Sequence, residues 1–108
     1  MALEVVWTAG AERDLLEIHQ RLFDALPDED DLMARVLHRP LWSAVNLLPL
    51  HPEVRARVTG TKGFRRWLLG PQRRYGMFYV IESRGIVVHA LLDMRQNPDA
   101  IWKRLRGS

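Results

Sequence analysis

Fourteen of the sixteen basic residues in this 108-residue sequence are arginine; only Lys62 and Lys103 are lysine. A planar guanidinium grips phosphate or carboxylate through two parallel hydrogen bonds and can stack on bases, so the bias suits an anionic partner. A genome rich in arginine codons would produce the same bias, but it would not segregate the charge. Residues 1–54 carry four basic groups (Arg13, Arg21, Arg35 and Arg39) against ten acids, a balance of −6. Residues 55–108 carry twelve basic groups against Glu82, Asp93 and Asp99, a balance of +9, and the halves sum to the net +3. The basic half also contains His89, Tyr75 and Tyr79, side chains that can carry protons. There is no cysteine, which excludes thiolate nucleophiles, disulfide frameworks, iron–sulfur clusters and cysteine zinc sites together. His19, His38 and His51 lack metal-ligand spacing. Any chemistry is thus narrowed to arginine, tyrosine, histidine and lysine, with no metal and no cofactor expected.

Apolar residues make up 47% of the chain and charged residues 27%, which fits one globular domain spanning 1–108. No apolar run approaches the ~20 residues of a membrane helix, and the N-terminus lacks the regions of a signal peptide. The expectation is a soluble, cytoplasmic protein with no membrane association. Leu3 to Trp7 reads as a short strand, with Thr8 placed to cap a helix. From Ala9 to Leu26, apolar residues at 11, 15, 18, 22 and 26, joined by Leu16 and Phe23, recur at helical spacing until Pro27. The acidic turn Asp28-Glu29-Asp30-Asp31 then caps a second helix reaching Leu48, which Pro40 must kink or split. An irregular connection follows, marked by Pro49, Pro52, Gly60 and Gly63, and its Arg55, Arg57 and Lys62 could reach an anion.

Beyond it the period changes. Residues 64–69, 73–82 and 85–94 read as three strands joined by Gly70-Pro71-Gln72 and Ser83-Arg84-Gly85, an antiparallel meander. Asp99 to Arg106 has helical spacing, started by Pro98; Gly107-Ser108 reads equally as native sequence or an expression remnant. The expected fold is α+β: an N-terminal strand and helix hairpin packed on an antiparallel sheet, with a short C-terminal helix. Strict alternation puts Ile86, Val88, Ala90 and Leu92 on one apolar side of the last strand. The other sheet face is then expected to carry His89, Asp93 and Arg95 with Tyr75 and Tyr79, a mixture consistent with a site. Parity alone does not place Arg65. Each of these residues also has an ordinary structural reading: His89 and the tyrosines as packing residues, Asp93 with Arg95 as a surface ion pair, the four tryptophans as core or interface anchors.

Three segments together resemble the RelE/ParE superfamily of type II toxins, closer to its ParE-like branch. They are Val5-Val6-Trp7-Thr8-x-x-Ala11-x-x-Asp14-Leu15; Gly63-Phe64-Arg65-Arg66-Trp67-Leu68; and Arg74-Tyr75-x-x-Phe78-Tyr79-Val80 leading to Ile86 through Asp93-Met94-Arg95-Gln96-Asn97-Pro98. The likeness spans nearly the whole chain in order. It implies a growth-inhibiting toxin, of the kind that stabilises plasmids, held inactive in a hetero-oligomer by a cognate antitoxin whose acidic, amphipathic segment wraps it. ParE-like members poison DNA gyrase by binding it. RelE-like members cleave mRNA on the ribosome without a metal, which needs a base, phosphate-stabilising cations and an acid.

If the nuclease activity is present, the resemblance offers Arg65 and Arg95 as phosphate clamps and His89, Tyr75, Tyr79 or Lys62 for proton transfer. For target or antitoxin binding it offers Arg65, Arg66, Arg73, Arg74, Arg95 and Lys62. Nuclease members of the family commonly end their last strand with a catalytic His-Tyr or carry a nearby C-terminal tyrosine, whereas this chain has no tyrosine beyond Tyr79. The ending Arg95-Gln96-Asn97-Pro98 resembles the ParE branch. Whether the protein is an enzyme stays open at this point, as does a third alternative, a non-toxic regulatory family member.

Overall fold

The structure, a computed structural model, describes residues 4–25, 34–53, 55, 57–61, 63–83 and 85–107. The acidic turn at 28–31, Leu26, Lys62 and Arg84 therefore lie outside the described residues. Strand β1 (Glu4–Trp7) turns Val5 and Trp7 inward, and Thr8 caps α1 (Ala9–Ala25) by accepting the Ala11 N–H on its hydroxyl at 3.1 Å. Helix α1 buries Ala11, Ile18 and Leu22. Leu16 and Phe23, expected to widen that stripe, are 69% and 50% exposed, because the spacing 16 to 23 lies one helical face away from 11, 18 and 22. A π-helical turn, Ala34–His38, runs into α2 (Arg39–Leu47), so Pro40 splits the second helix near its own position. Proline has no N–H, so the Val36 carbonyl lacks its i+4 donor. That oxygen packs against Gly70, where an added Cβ would stand 2.9 Å from it. Leu37, Ala44 and Leu48 are fully buried from this side, whereas Trp42 is 70% exposed.

After the irregular connection come β2 (Arg65–Leu69), a 3-10 turn at Pro71–Arg73, β3 (Tyr75–Glu82), β4 (Gly85–Asp93) and α3 (Pro98–Arg106). Asn97 caps α3 by accepting the Asp99 N–H at 2.9 Å. The strand order is β1-β4-β3-β2. The meander β2-β3-β4 is antiparallel as read, but β1 joins β4 in parallel, so the sheet is mixed. A first strand carried across the sheet by two helices arrives beside the last strand, pointing the same way.

Between β3 and β4 the register slips: Phe78 faces Ala90, the next residue Tyr79 faces Val88, and His89 has no partner across the ladder. One extra residue inverts the alternation on either side of it. The expected apolar side of β4 is accordingly divided. Ile86, Val88 and Leu91 enter the larger core under the helix pair, and Ala90 and Leu92 enter a smaller one with Phe64, Phe78 and Leu105. Over β3 and β4 the second sheet face is therefore an apolar surface covered in part by α3, and the polar face expected there is corrected.

Candidate functional site: an arginine-lined groove

β1 ends opposite Val88, so beyond it β4 has no strand on that side, and buried backbone groups there need other partners. Asp14 of α1 accepts the Leu91 N–H on Oδ2 at 3.1 Å. Arg104 of α3 donates from Nη1 to both Asp14 oxygens at 2.9 and 2.7 Å, and from Nη2 to the His89 carbonyl at 3.3 Å. The Thr8 hydroxyl lies 3.5 Å from the same carbonyl. One carboxylate and one guanidinium thus tie both flanking helices to the irregular point of the sheet. Thr8, Ala11 and Asp14 of the first family-like segment each have a role in this junction or in the packing beside it. In the sequence Asp14 is marked only by its place in the first family-like segment; nothing local points to its partner ninety positions away. The His89 ring is half-buried and meets Phe64 edge-on, centroids 5.4 Å apart.

Tyr75 and Tyr79 are 2% and 0% exposed, inside the larger core and not on a polar face. The Tyr79 hydroxyl donates to the Pro52 carbonyl at 2.9 Å. Burial pushes both phenols above their ordinary value, with Arg74 opposing the shift at Tyr75 and Arg65 at Tyr79. Arg65, directly across from Tyr79 in the register, points to the same side and donates from Nη1 to the carbonyls of Glu53 and Arg55 at 3.3 and 2.5 Å. Together Arg65 and Tyr79 hold the connection at Pro52, Glu53 and Arg55. The held segment sets the Arg55 guanidinium over the Trp67 ring, 4.1 Å from its centroid.

At the far end of the sheet Asp93 is held between two arginines. Arg95 donates to it from Nε at 3.3 Å and Nη2 at 3.1 Å, its backbone N–H adds a bond at 2.9 Å, and Arg74 Nε is 3.6 Å away. Burial acts to raise the Asp93 carboxyl, but the hydrogen bonds and charge of Arg95, with Arg74 adding, outweigh it and hold it below the usual carboxylate range. The same pairing raises the Arg95 guanidinium. Arg74, Arg95 and Arg73 line an open depression of about 430 Å³ with Gln72. Gln72 and Arg73 both adopt positive φ, 60° and 54°, a conformation that costs a non-glycine residue of order 1 kcal/mol or more.

A further concavity lies on the α3 side, along β2. It is an open groove of about 560 Å³ lined by Arg55, Arg57, Arg66 and Arg73, with Val58, Thr59 and Leu68 between them. Among the described residues, every charged one in its wall is an arginine. The structure therefore gathers Arg66 and Arg73 with Arg55 and Arg57, sets Arg74 and Arg95 around Asp93, and turns Arg65 to the loop that carries Arg55. It does not gather Arg65, His89, Tyr75 and Arg95. Arg65 pairs with Tyr79, while Leu69 pairs with Tyr75 and Tyr75 with Asp93, so the two ends are four residues apart on β2, roughly 13 Å at the usual rise. Among the described residues no cluster of three or more metal-ligand side chains exists, and no helix is long and apolar enough to cross a membrane.

No protein-family model matches the sequence, and no curated protein matches it. A solved structure does. A chain of the "Chromosomal ParDE TA system from P. aeruginosa" superposes with a TM-score of 0.68 at 17% identity, over 85% of this chain and 96% of that one. The α+β arrangement of strand, helix pair, four-stranded mixed sheet and C-terminal helix is thus the ParE-like fold that the three sequence segments resemble.

Proposed function

We propose that this chain is the toxin of a type II toxin–antitoxin pair, of the ParE kind, inhibiting growth by binding a macromolecular target such as DNA gyrase. A cognate antitoxin neutralises it in a cytoplasmic hetero-oligomer. Arg66, Arg73, Arg74 and Arg95, with Arg55 and Arg57, are the binding groups, and Arg65 supports Arg55 from behind.

The observation that carries binding over cleavage is the separation of the catalytic candidates. Proton transfer and phosphate clamping need groups within about 3 Å of the same reacting atoms. Here Arg65 is turned to loop carbonyls, the Tyr75 phenol is buried, and Arg95 closes on Asp93. A dense guanidinium surface without a converging acid and base suits recognition.

Induction of the chain alone in a bacterium is the test. Growth arrest with an SOS response and double-strand breaks, and without new mRNA ends by primer extension, is expected. mRNA cleavage abolished by Arg65→Ala and Arg95→Ala would replace this reading with the RelE-like endonuclease. Normal growth at good soluble expression would leave the non-toxic regulatory role.

A further inference from the structure

His19 of α1 and His38, the last residue of the π-helical turn, are far apart in the sequence, so spacing along the chain hides them as a pair. The helix pair brings them together. Their rings lie nearly parallel, 16° between planes, with centroids 5.4 Å apart, and both residues are exposed. Two imidazoles on one tetrahedral zinc ion, each bound at about 2.0–2.1 Å, have ring centres roughly 5 Å apart. The separation therefore already suits a shared ion, and the exposed rings need only turn to aim one nitrogen each at it. Zinc takes four ligands, and among the described residues no third histidine, aspartate or glutamate joins the pair. We infer that His19 and His38 are half of a zinc site that the same two histidines of a second copy of this chain complete, the ion joining two copies on a two-fold axis.

The surface round the histidines fits a second copy. Leu16 and Phe23 stand one turn before and after His19 on α1, and they are 69% and 50% exposed. His38 has helical dihedrals, φ −66° and ψ −48°, so Trp42, 70% exposed, stands one turn beyond it. Such groups gain from leaving water, and a two-fold interface sets one patch against itself. Charge does not oppose the contact. Residues 9–25 and 34–47 together hold four carboxylates and four arginines. A strongly acidic or basic partner finds no excess charge to pair with on these segments, whereas two copies meet without net repulsion. Across the arginine-lined groove two copies would meet like charge. His38 also ends a π-helical turn, a rare form that occurs frequently at functional sites.

Sedimentation velocity of the purified chain, stripped of metal by a chelator and then titrated with zinc chloride, tests the inference. A monomer is expected without metal and a dimer with zinc, at one zinc per two chains by calorimetric titration. Magnesium, which prefers oxygen ligands, should leave the monomer unchanged. His19→Ala and His38→Ala should each raise the zinc concentration for half-dimerisation by more than about tenfold, since even outer-shell changes cost that much. Circular dichroism checks that each variant folds, and His19→Ala, in a regular helix, keeps the test decisive should His38→Ala disturb the π-helical turn. Trp42→Ser should weaken the zinc dimer by about tenfold and keep its stoichiometry. One zinc per chain on a monomer overturns the inference, as does a dimer formed equally with magnesium or indifferent to metal. An unaltered zinc response in folded His19→Ala, or an unweakened dimer in Trp42→Ser, overturns it too. None of these readouts depends on toxicity, so the growth-arrest experiment stands or falls separately.

Discussion

Replacing Asp14 by alanine tests most directly the reasoning about the edge of β4 beyond the end of β1. The carboxylate is 14% exposed and the Arg104 side chain 31%, so solvent weakens their attraction but does not abolish it. Removing it leaves the Leu91 N–H, on a residue 1% exposed, with no acceptor, and leaves Arg104 only the His89 carbonyl among these groups. An orphaned buried donor costs about 1–3 kcal/mol, and losing a charge-assisted pair of this exposure adds about 1 kcal/mol. The expected destabilisation is therefore about 2–4 kcal/mol, a large share of the 5–15 kcal/mol that typically holds a domain together. Asp14→Asn keeps an acceptor for Leu91 and removes only the charge, so it should cost roughly 1 kcal/mol. Urea unfolding followed by circular dichroism measures both. The Asp14→Ala midpoint should fall by about 1–2 M with the slope unchanged, since the same surface is exposed on unfolding. A double-mutant cycle with Arg104→Met should return a coupling of at least about 0.5 kcal/mol. An Asp14→Ala cost below about 0.5 kcal/mol, or an asparagine variant as damaged as the alanine one, would refute the account.

Gly70→Ala should destabilise by about 1–3 kcal/mol in the same assay, because Gly70 sits at φ 83° and an added Cβ would meet the Val36 carbonyl at 2.9 Å; an unchanged midpoint would contradict the packing of the π-helical turn on β2. Tyr79→Phe should cost about 1 kcal/mol by freeing the Pro52 carbonyl, and native-state hydrogen exchange should increase around residues 52–55 more than elsewhere. Asp93 is held below its ordinary value of 3.8, so its carboxylate stabilises the fold above that pH and the contribution is lost as the pH falls through the folded value. Stability profiles below about pH 4 should accordingly be flatter for Asp93→Asn than for the parent chain, and parallel profiles would deny the pairing with Arg74 and Arg95. Both phenols lie above the ordinary 10.0, so ultraviolet titration of the folded chain should show tyrosine ionisation later than in the urea-unfolded chain.

Much of this architecture is legible in the order of residues because it depends on neighbours. Thr8 caps α1 since the hydroxyl and the N–H it accepts are three residues apart. Pro40 interrupts the second helix through its own missing N–H, and Gly70-Pro71 announces the turn before β3. The boundaries 65–69, 75–82 and 85–93 lie within two residues of those expected from composition and alternation. The split of charge between the halves is equally a property of the string. It places ten of the fourteen arginines on the sheet half, and the groove is built from that half alone.

What alternation could not supply was the phase of β4 beyond Val88. His89 has no partner across the ladder, and the β4 edge beyond the end of β1 is held by Asp14 and Arg104, which come from opposite ends of the chain. Without them in view, strict parity puts Ala90 and Leu92 with Ile86 and Val88, and puts Tyr75 and Tyr79 on a face they do not occupy. The sequence by itself determined which residue types were available for binding, their segregation, and the run of helices and strands. Only the tertiary structure decided which arginines share a groove, because that depends on the register between strands and on a loop held by Arg65 and Tyr79. Such contacts are stabilised by burial and pairing across long separations, and local residue preferences carry no record of them.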